Sequence, residues 1–88
     1  MTKAEKAHMA RVAELTCAIC GDYGTQLHHV REGQGMAQRA SNWLVIPLCV
    51  DCHTGPFGIH GDRTMLRSVK KNEMDLLAET LERVYGTR

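Results

Sequence analysis

Apolar positions along the chain fall into four groups separated by polar, Gly-containing stretches. In the first, Ala4, Ala7, Val12 and Leu15 recur at helical spacing, which predicts a helix over 2–15 with a weak apolar stripe. Thr2 followed by Glu5 is the T-x-x-E pattern of a capping box, marking the start of that helix. Its other face carries Lys3, Lys6 and Arg11, expected as a solvated basic face, with a DNA-contacting arm as the functional alternative. The second group, QLHHVR at 26–31, fits a short strand, and the third, WLVIPL at 43–48, fits the second strand of a hairpin. Pro47 is expected at that strand's end or edge, because it donates no ladder hydrogen bond. Between them, EGQGMAQRAS at 32–41 reads as a polar loop. A helix is expected to begin near Cys49 and Cys52, and TGPFG at 54–58 interrupts it. In the fourth group Met74, Leu77, Leu81 and Val84 repeat at helical spacing. Asn72 and Asp75 mark that helix's N-cap and N3 acid, and Gly86 its stop.

These elements describe an α+β chain of 88 residues, a length that argues for one domain. A core of this size is marginal without a staple, and only Tyr23, Trp43, Phe57 and Tyr85 supply aromatic bulk. The four cysteines offer one. They fall as two C-x-x-C pairs, Cys17–Cys20 and Cys49–Cys52, with 28 residues between them. The first 15 residues are charged and contain no apolar run of the signal-peptide kind, and no stretch approaches a membrane span. The expectation is therefore a cytoplasmic protein without membrane contact, in which paired C-x-x-C reads as metal before disulfide. Zn2+ takes four tetrahedral ligands, and a four-thiolate site leaves no position open for substrate, so this Zn2+ is expected to be structural. Residues 49–53, CVDCH, also match the c-type haem attachment signature. Covalent haem is attached after export, and the first pair is followed by Gly21 rather than His, which weighs against haem.

Histidine is the second chemical signal. Of five histidines, His28, His29, His53 and His60 lie within the cysteine-bounded stretch or just beyond it. His28 and His29 are adjacent on a predicted strand and so point to opposite faces. One of them can bind a metal while the other works beside it. A hard metal held by His28, His53 and His60 keeps open positions for a phosphate oxygen and stabilises charge at a leaving alkoxide. His29, through its imidazole, then takes a proton from water. That scheme is phosphodiester hydrolysis.

The order C-x-x-C, HH on a strand, an Asn, then C-x-x-C-H resembles the HNH (His-Me finger, ββα-metal) endonucleases. The resemblance implies a small ββα-metal, treble-clef-like domain stapled by Zn2+ at Cys17, Cys20, Cys49 and Cys52. It implies an N-terminal helix over 1–16, a zinc-bounded ββα core over 17–63 and a C-terminal helical segment over 64–88. By resemblance His28, His53 and His60 are ligands of a catalytic divalent metal, and His29 is the general base. Asn42 orients that base or braces the loop between the strands. Mg2+ is the expected catalytic ion, with Mn2+, Co2+ or Ni2+ as substitutes. LHHVREGQGMAQRASNWLVIPLCVDCHTGPFGIHGDR, with the first knuckle, is similar to the Ref family of phage recombination-enhancement nucleases, which implies a phage- or prophage-encoded protein in a bacterial host. This chain departs from the pattern in three places. His60 lies seven residues after His53, across Gly55, Pro56 and Gly58, and Asn42 lies seven before Cys49. No long basic extension precedes the first helix, so dependence on RecA is not carried over.

Net charge is +1, which excludes a strongly basic DNA wrapper but not a local basic face. Arg31 and Arg39 border the histidine strand and its loop, and Arg63, Arg67, Lys70 and Lys71 follow His60. As a set they are expected to contact DNA phosphates, which positions the duplex without reading its sequence. Gln34, Gln38 and Arg39 are the candidates for any base contact. A monomer with one metal cuts one strand per encounter, so nicking is expected. The alternative is a non-catalytic treble-clef zinc adaptor for DNA or protein, which accounts for the cysteines and basic residues but leaves the four histidines without a role.

Overall fold

In the computed structural model, residues 1–30 and 40–86 are described. Among them are four helices and a two-stranded antiparallel sheet: α1 (Lys3–Ala13), β1 (Gln26–His29), β2 (Val45–Leu48), α2 (Val50–His53), α3 (Thr64–Ser68) and α4 (Glu73–Tyr85). None of these helices is long and apolar enough to cross a membrane.

α1 starts where the capping box puts it. Thr2 Oγ1 accepts the Glu5 N–H and the Glu5 carboxylate accepts the Thr2 N–H, satisfying two of the helix's orphan donors. At the other end Thr25 Oγ1 donates to the carbonyls of Ala13 and Leu15. α4 repeats the device, with Asn72 and Asp75 exchanging the same pair of bonds. Its buried face differs from the predicted stripe. Leu76, Leu77 and Thr80 point inward, while Met74 is exposed. Thr80 is tolerated there because its hydroxyl donates to the Leu76 carbonyl of its own helix. Helical periodicity alone does not choose between overlapping stripes; the strand packed against α4 does.

β1 and β2 pair in the register Gln26↔Leu48, Leu27↔Pro47, His28↔Ile46 and His29↔Val45. Every residue of β2 is buried, since α1 and α4 both pack against it, which explains its unbroken apolar run. Trp43, expected in the strand, instead lies in the turn before it and is partly exposed. Pro47 is inside the strand rather than at its end. Its carbonyl accepts the Ala18 N–H of the first cysteine knuckle at 2.9 Å instead of pairing with β1. Its backbone groups thus face away from the partner strand, and the missing N–H removes no ladder bond.

His8 is fully buried and joins three parts of the chain. Its Nε2 lies 3.0 Å from the Trp43 carbonyl, which only accepts, so Nε2 carries the hydrogen. Nδ1 therefore accepts from the Tyr85 hydroxyl at 2.6 Å. Val12, Val30, Val45, Ile46, Leu48 and Leu76 form the apolar interior beside it.

After α2 the chain folds back on that one-turn helix. Ile59 N–H bonds to the Cys52 carbonyl and His60 N–H to the His53 carbonyl, at 2.8 and 3.0 Å. Gly58 makes the return possible: a Cβ there would lie 2.6 Å from the Asp51 carbonyl oxygen and 2.7 Å from that of Cys52. Both obstacles are backbone and cannot rotate away. Gly58→Ala is accordingly expected to destabilise the fold by about 1–3 kcal/mol, as overpacking does. Urea unfolding followed by circular dichroism measures this, and an unchanged midpoint would show that the return loop has slack.

Candidate metal and catalytic centre

The two C-x-x-C pairs converge. One sulfur from each of Cys17, Cys20, Cys49 and Cys52 lies within 4.8 Å of the others, and no disulfide joins them. The Sγ atoms of Cys20 and Cys49 are 3.5 Å apart. Four sulfurs at ~2.3 Å from one zinc ion form a tetrahedron with edges of about 3.8 Å, so the donor set fits zinc in number, type and spacing. The first knuckle supplies its own hydrogen bonds: Ile19 and Cys20 N–H point at Cys17 Sγ, at 3.4 and 3.5 Å. Gly21, at φ 82°, turns the chain so that its N–H returns to the Cys17 carbonyl. Burial opposes ionisation of Cys17, but the N–H groups of Cys20, Cys49 and Ile19 outweigh it and bring the thiol down to about 7. Burial pushes Cys20 up to about 11 and raises Cys52 as well, with neighbouring sulfurs adding to the effect. Four crowded sulfurs resist sharing negative charge; a dication among them reverses that balance.

A second cluster lies on one face of β1. His28, His53 and His60 each place a ring nitrogen within 4.8 Å of the others. β1 supplies His28, α2 supplies His53, and the return loop lays His60 beside His53. The Nε2 atoms of His53 and His60 are 3.1 Å apart. Two nitrogens at ~2.1 Å from one ion, at right angles, are about 3.0 Å apart, so this pair has the spacing of ligands to one metal. The longer interval between His53 and His60 is thus absorbed by the backbone bonds of the return loop. Burial lowers the pKa of both His28 and His53, favouring the neutral imidazole that ligates metal.

Three polar residues that the sequence did not assign to the site complete this geometry. Gln26 Oε1 accepts from His53 Nδ1 at 2.9 Å, which leaves His53 Nε2 with its lone pair, facing His60. Gln26 is two residues from His28 on a strand and so shares its face; period-two alternation was a signal for it. Glu73, at the start of α4, accepts from His28 Nε2 at 2.6 Å and from Arg63 Nη2 at 3.1 Å. Nothing in the sequence announces that contact, since 45 residues separate Glu73 from His28. Glu5 is the third, reached through the opposite face of β1.

His29 lies on that opposite face, as strand alternation predicts. Its Nε2 is 3.0 Å from Asn42 Oδ1, and Asn42 Nδ2 donates to Glu5 Oε2 at 2.9 Å. Of the candidate phosphate-binding residues, Arg31 and Arg39 lie outside the described residues, as do Gln34 and Gln38. Arg63 is committed to Glu73, and Lys71 pairs with Glu79 at 2.7 Å. Arg67 and Lys70 are exposed. No family model, curated protein or solved structure matches this chain.

Two measurements follow from the two clusters. Binding of structural zinc in zinc-finger peptides is worth ~10–16 kcal/mol, comparable to or larger than the ~5–15 kcal/mol that holds a whole domain together. Cys52→Ser, or stripping by a strong zinc chelator, is therefore expected to abolish the cooperative unfolding transition; a persisting sharp melt would mean the fold stands without metal. Calorimetric titration of the zinc-loaded protein with Ni2+ is expected to fill one further site per chain. His53→Ala should remove that site while the zinc content stays at one per chain.

Proposed function

We propose that this chain is a metal-dependent endonuclease of the HNH (His-Me finger, ββα-metal) type, hydrolysing DNA phosphodiester bonds one strand at a time. One observation carries the reading. A single strand presents His28 to a three-histidine cluster on one face and His29, bonded to an Asn, on the other. A zinc-stapled adaptor has no use for either arrangement.

β1, β2 and α2 correspond to the ββα unit, with Cys17, Cys20, Cys49 and Cys52 as its structural Zn2+ site. His28, His53 and His60 would hold the catalytic divalent ion, Mg2+ or a substitute such as Mn2+, Co2+ or Ni2+. That ion supplies Lewis-acid stabilisation of charge on the phosphate and leaving oxygen. The protein's own residues do the rest. Gln26 and Glu73 keep the His53 and His28 rings in fixed orientation. His29 accepts a proton from the attacking water, and Asn42 holds the imidazole in place while it does so. Arg67 and Lys70, exposed beyond His60, would contact phosphates, together with Arg31 and Arg39. Arg63 and Lys71, though paired internally, remain partly exposed and belong to the same basic set.

The test is conversion of supercoiled plasmid to open circles with Mg2+, comparing the wild type with His29→Ala of equal zinc content. The wild type is expected to nick, and the variant to lose ~10²–10⁴-fold, the ordinary contribution of a general base. Equal activity in both would remove His29 from the mechanism. No cleavage by either, across several divalent ions and DNA forms, would return the chain to the adaptor reading.

A further inference from the structure

The capping box of α1 does more than begin a helix. It fixes the Glu5 side chain by giving one carboxylate oxygen, Oε1, to the Thr2 N–H at 3.1 Å. The other oxygen, Oε2, accepts from Asn42 Nδ2 at 2.9 Å. The Asn42 amide, followed by the Thr2 donors, holds the Glu5 carboxyl below its usual range, so it is a carboxylate at neutral pH. A carboxylate only accepts hydrogen bonds.

An amide side chain has a donor end and an acceptor end, and turning it over exchanges them. In the turned-over arrangement the Asn42 oxygen would meet the Glu5 carboxylate, acceptor against acceptor. Glu5 therefore forces the donor end toward itself and the oxygen toward His29. That oxygen is 3.0 Å from His29 Nε2, so Nε2 must carry the hydrogen and Nδ1 keeps its lone pair.

We propose that Glu5 is a positioning residue which, through Asn42, sets the tautomer of His29 and leaves Nδ1 as its basic nitrogen. The tautomer follows from hydrogen-bond complementarity alone; its value to catalysis rests on the nuclease reading. The N-terminal helix thereby becomes part of the site rather than a packing element beside it. Asn42 without Glu5 is ambivalent, since either end of its amide can meet the ring.

The experiment reads the His29 ring nitrogens by long-range 1H–15N NMR, on the full zinc-loaded chain with Mg2+, at a pH where imidazole is neutral. A protonated and an unprotonated ring nitrogen resonate far apart, so the tautomer is seen directly. The wild type is expected to show the pure Nε2–H form. Glu5→Gln has one acceptor for two donors, so it is expected to mix the two tautomers with the backbone spectrum otherwise preserved. Thr2→Ala, which loosens the helix cap but keeps the carboxylate, is expected to retain the pure form. A Glu5→Gln protein that keeps the pure Nε2–H form overturns the proposal, as does a wild type in the Nδ1–H form. Mixing in Thr2→Ala as well would also overturn it, because helix fraying would then be the cause. In the plasmid assay Glu5→Gln is expected to lower kcat by less than the ~10²–10⁴-fold loss of His29→Ala, with KM unchanged. If the tautomers behave as expected and the wild type cleaves nothing, the nuclease reading fails and the Glu5 relay stands.

Discussion

The structure depends on four sulfurs drawn from two distant points of the chain into one cluster. Cys17 and Cys20 precede the hairpin, and Cys49 and Cys52 follow it, so closing the cluster closes the hairpin between them. The first knuckle is tied to β2 through the Ala18 N–H and the Pro47 carbonyl. It is tied to α4 through Arg83, which donates to Thr16 Oγ1 and to its carbonyl. A two-stranded ribbon is marginal by itself. Here it is held at its open end by the cysteines and covered on β2 by α1 and α4. A donor set that suits Zn2+ thus sits where the small apolar core most needs reinforcement.

From that staple the two faces of β1 acquire different chemistry. His28 turns toward α2 and the return loop, where burial lowers the pKa of His28 and His53 and three ring nitrogens converge. His29 turns toward α1 and the 40–43 segment, where it meets an amide instead. Neither face is built by the strand alone. Gln26, Glu73 and Asn42 each give a ring a hydrogen-bond partner, and each partner decides which nitrogen carries a proton. Which ring nitrogen of each histidine keeps its lone pair is a matter of neighbours, because the side chains are chemically identical.

The charged residues show how little a basic tally says about a surface. Arg63 stands beside the histidine cluster but its guanidinium is held by Glu73, which in turn holds His28. Its first task is within the protein. Lys71 pairs with Glu79 on the exposed side of α4, an interaction of the ~0–1 kcal/mol kind that solvent readily replaces.

The elements were legible from the residues themselves. Thr2 with Glu5, and Asn72 with Asp75, announced both capped helices, because a cap is a local arrangement of side chain and backbone. The WLVIPL run announced the second strand of the hairpin, and the paired C-x-x-C spacing announced the cysteine cluster, since a short loop brings two sulfurs to one point. Strand alternation by itself puts His28 and His29 on opposite faces. Only the tertiary structure decided which stripe of α4 turns inward: Leu76 and Thr80 join Leu77 inside, while Met74 is left exposed. It also decided that His8 is a core residue joining Trp43 to Tyr85, that Pro47 lies within its strand, that Glu73 reaches His28, and that Glu5 reaches the Asn42 bonded to His29. Those contacts join residues far apart in the chain, and no periodicity connects them; they exist because closing the cysteine cluster and packing two helices on β2 leave those side chains facing one another.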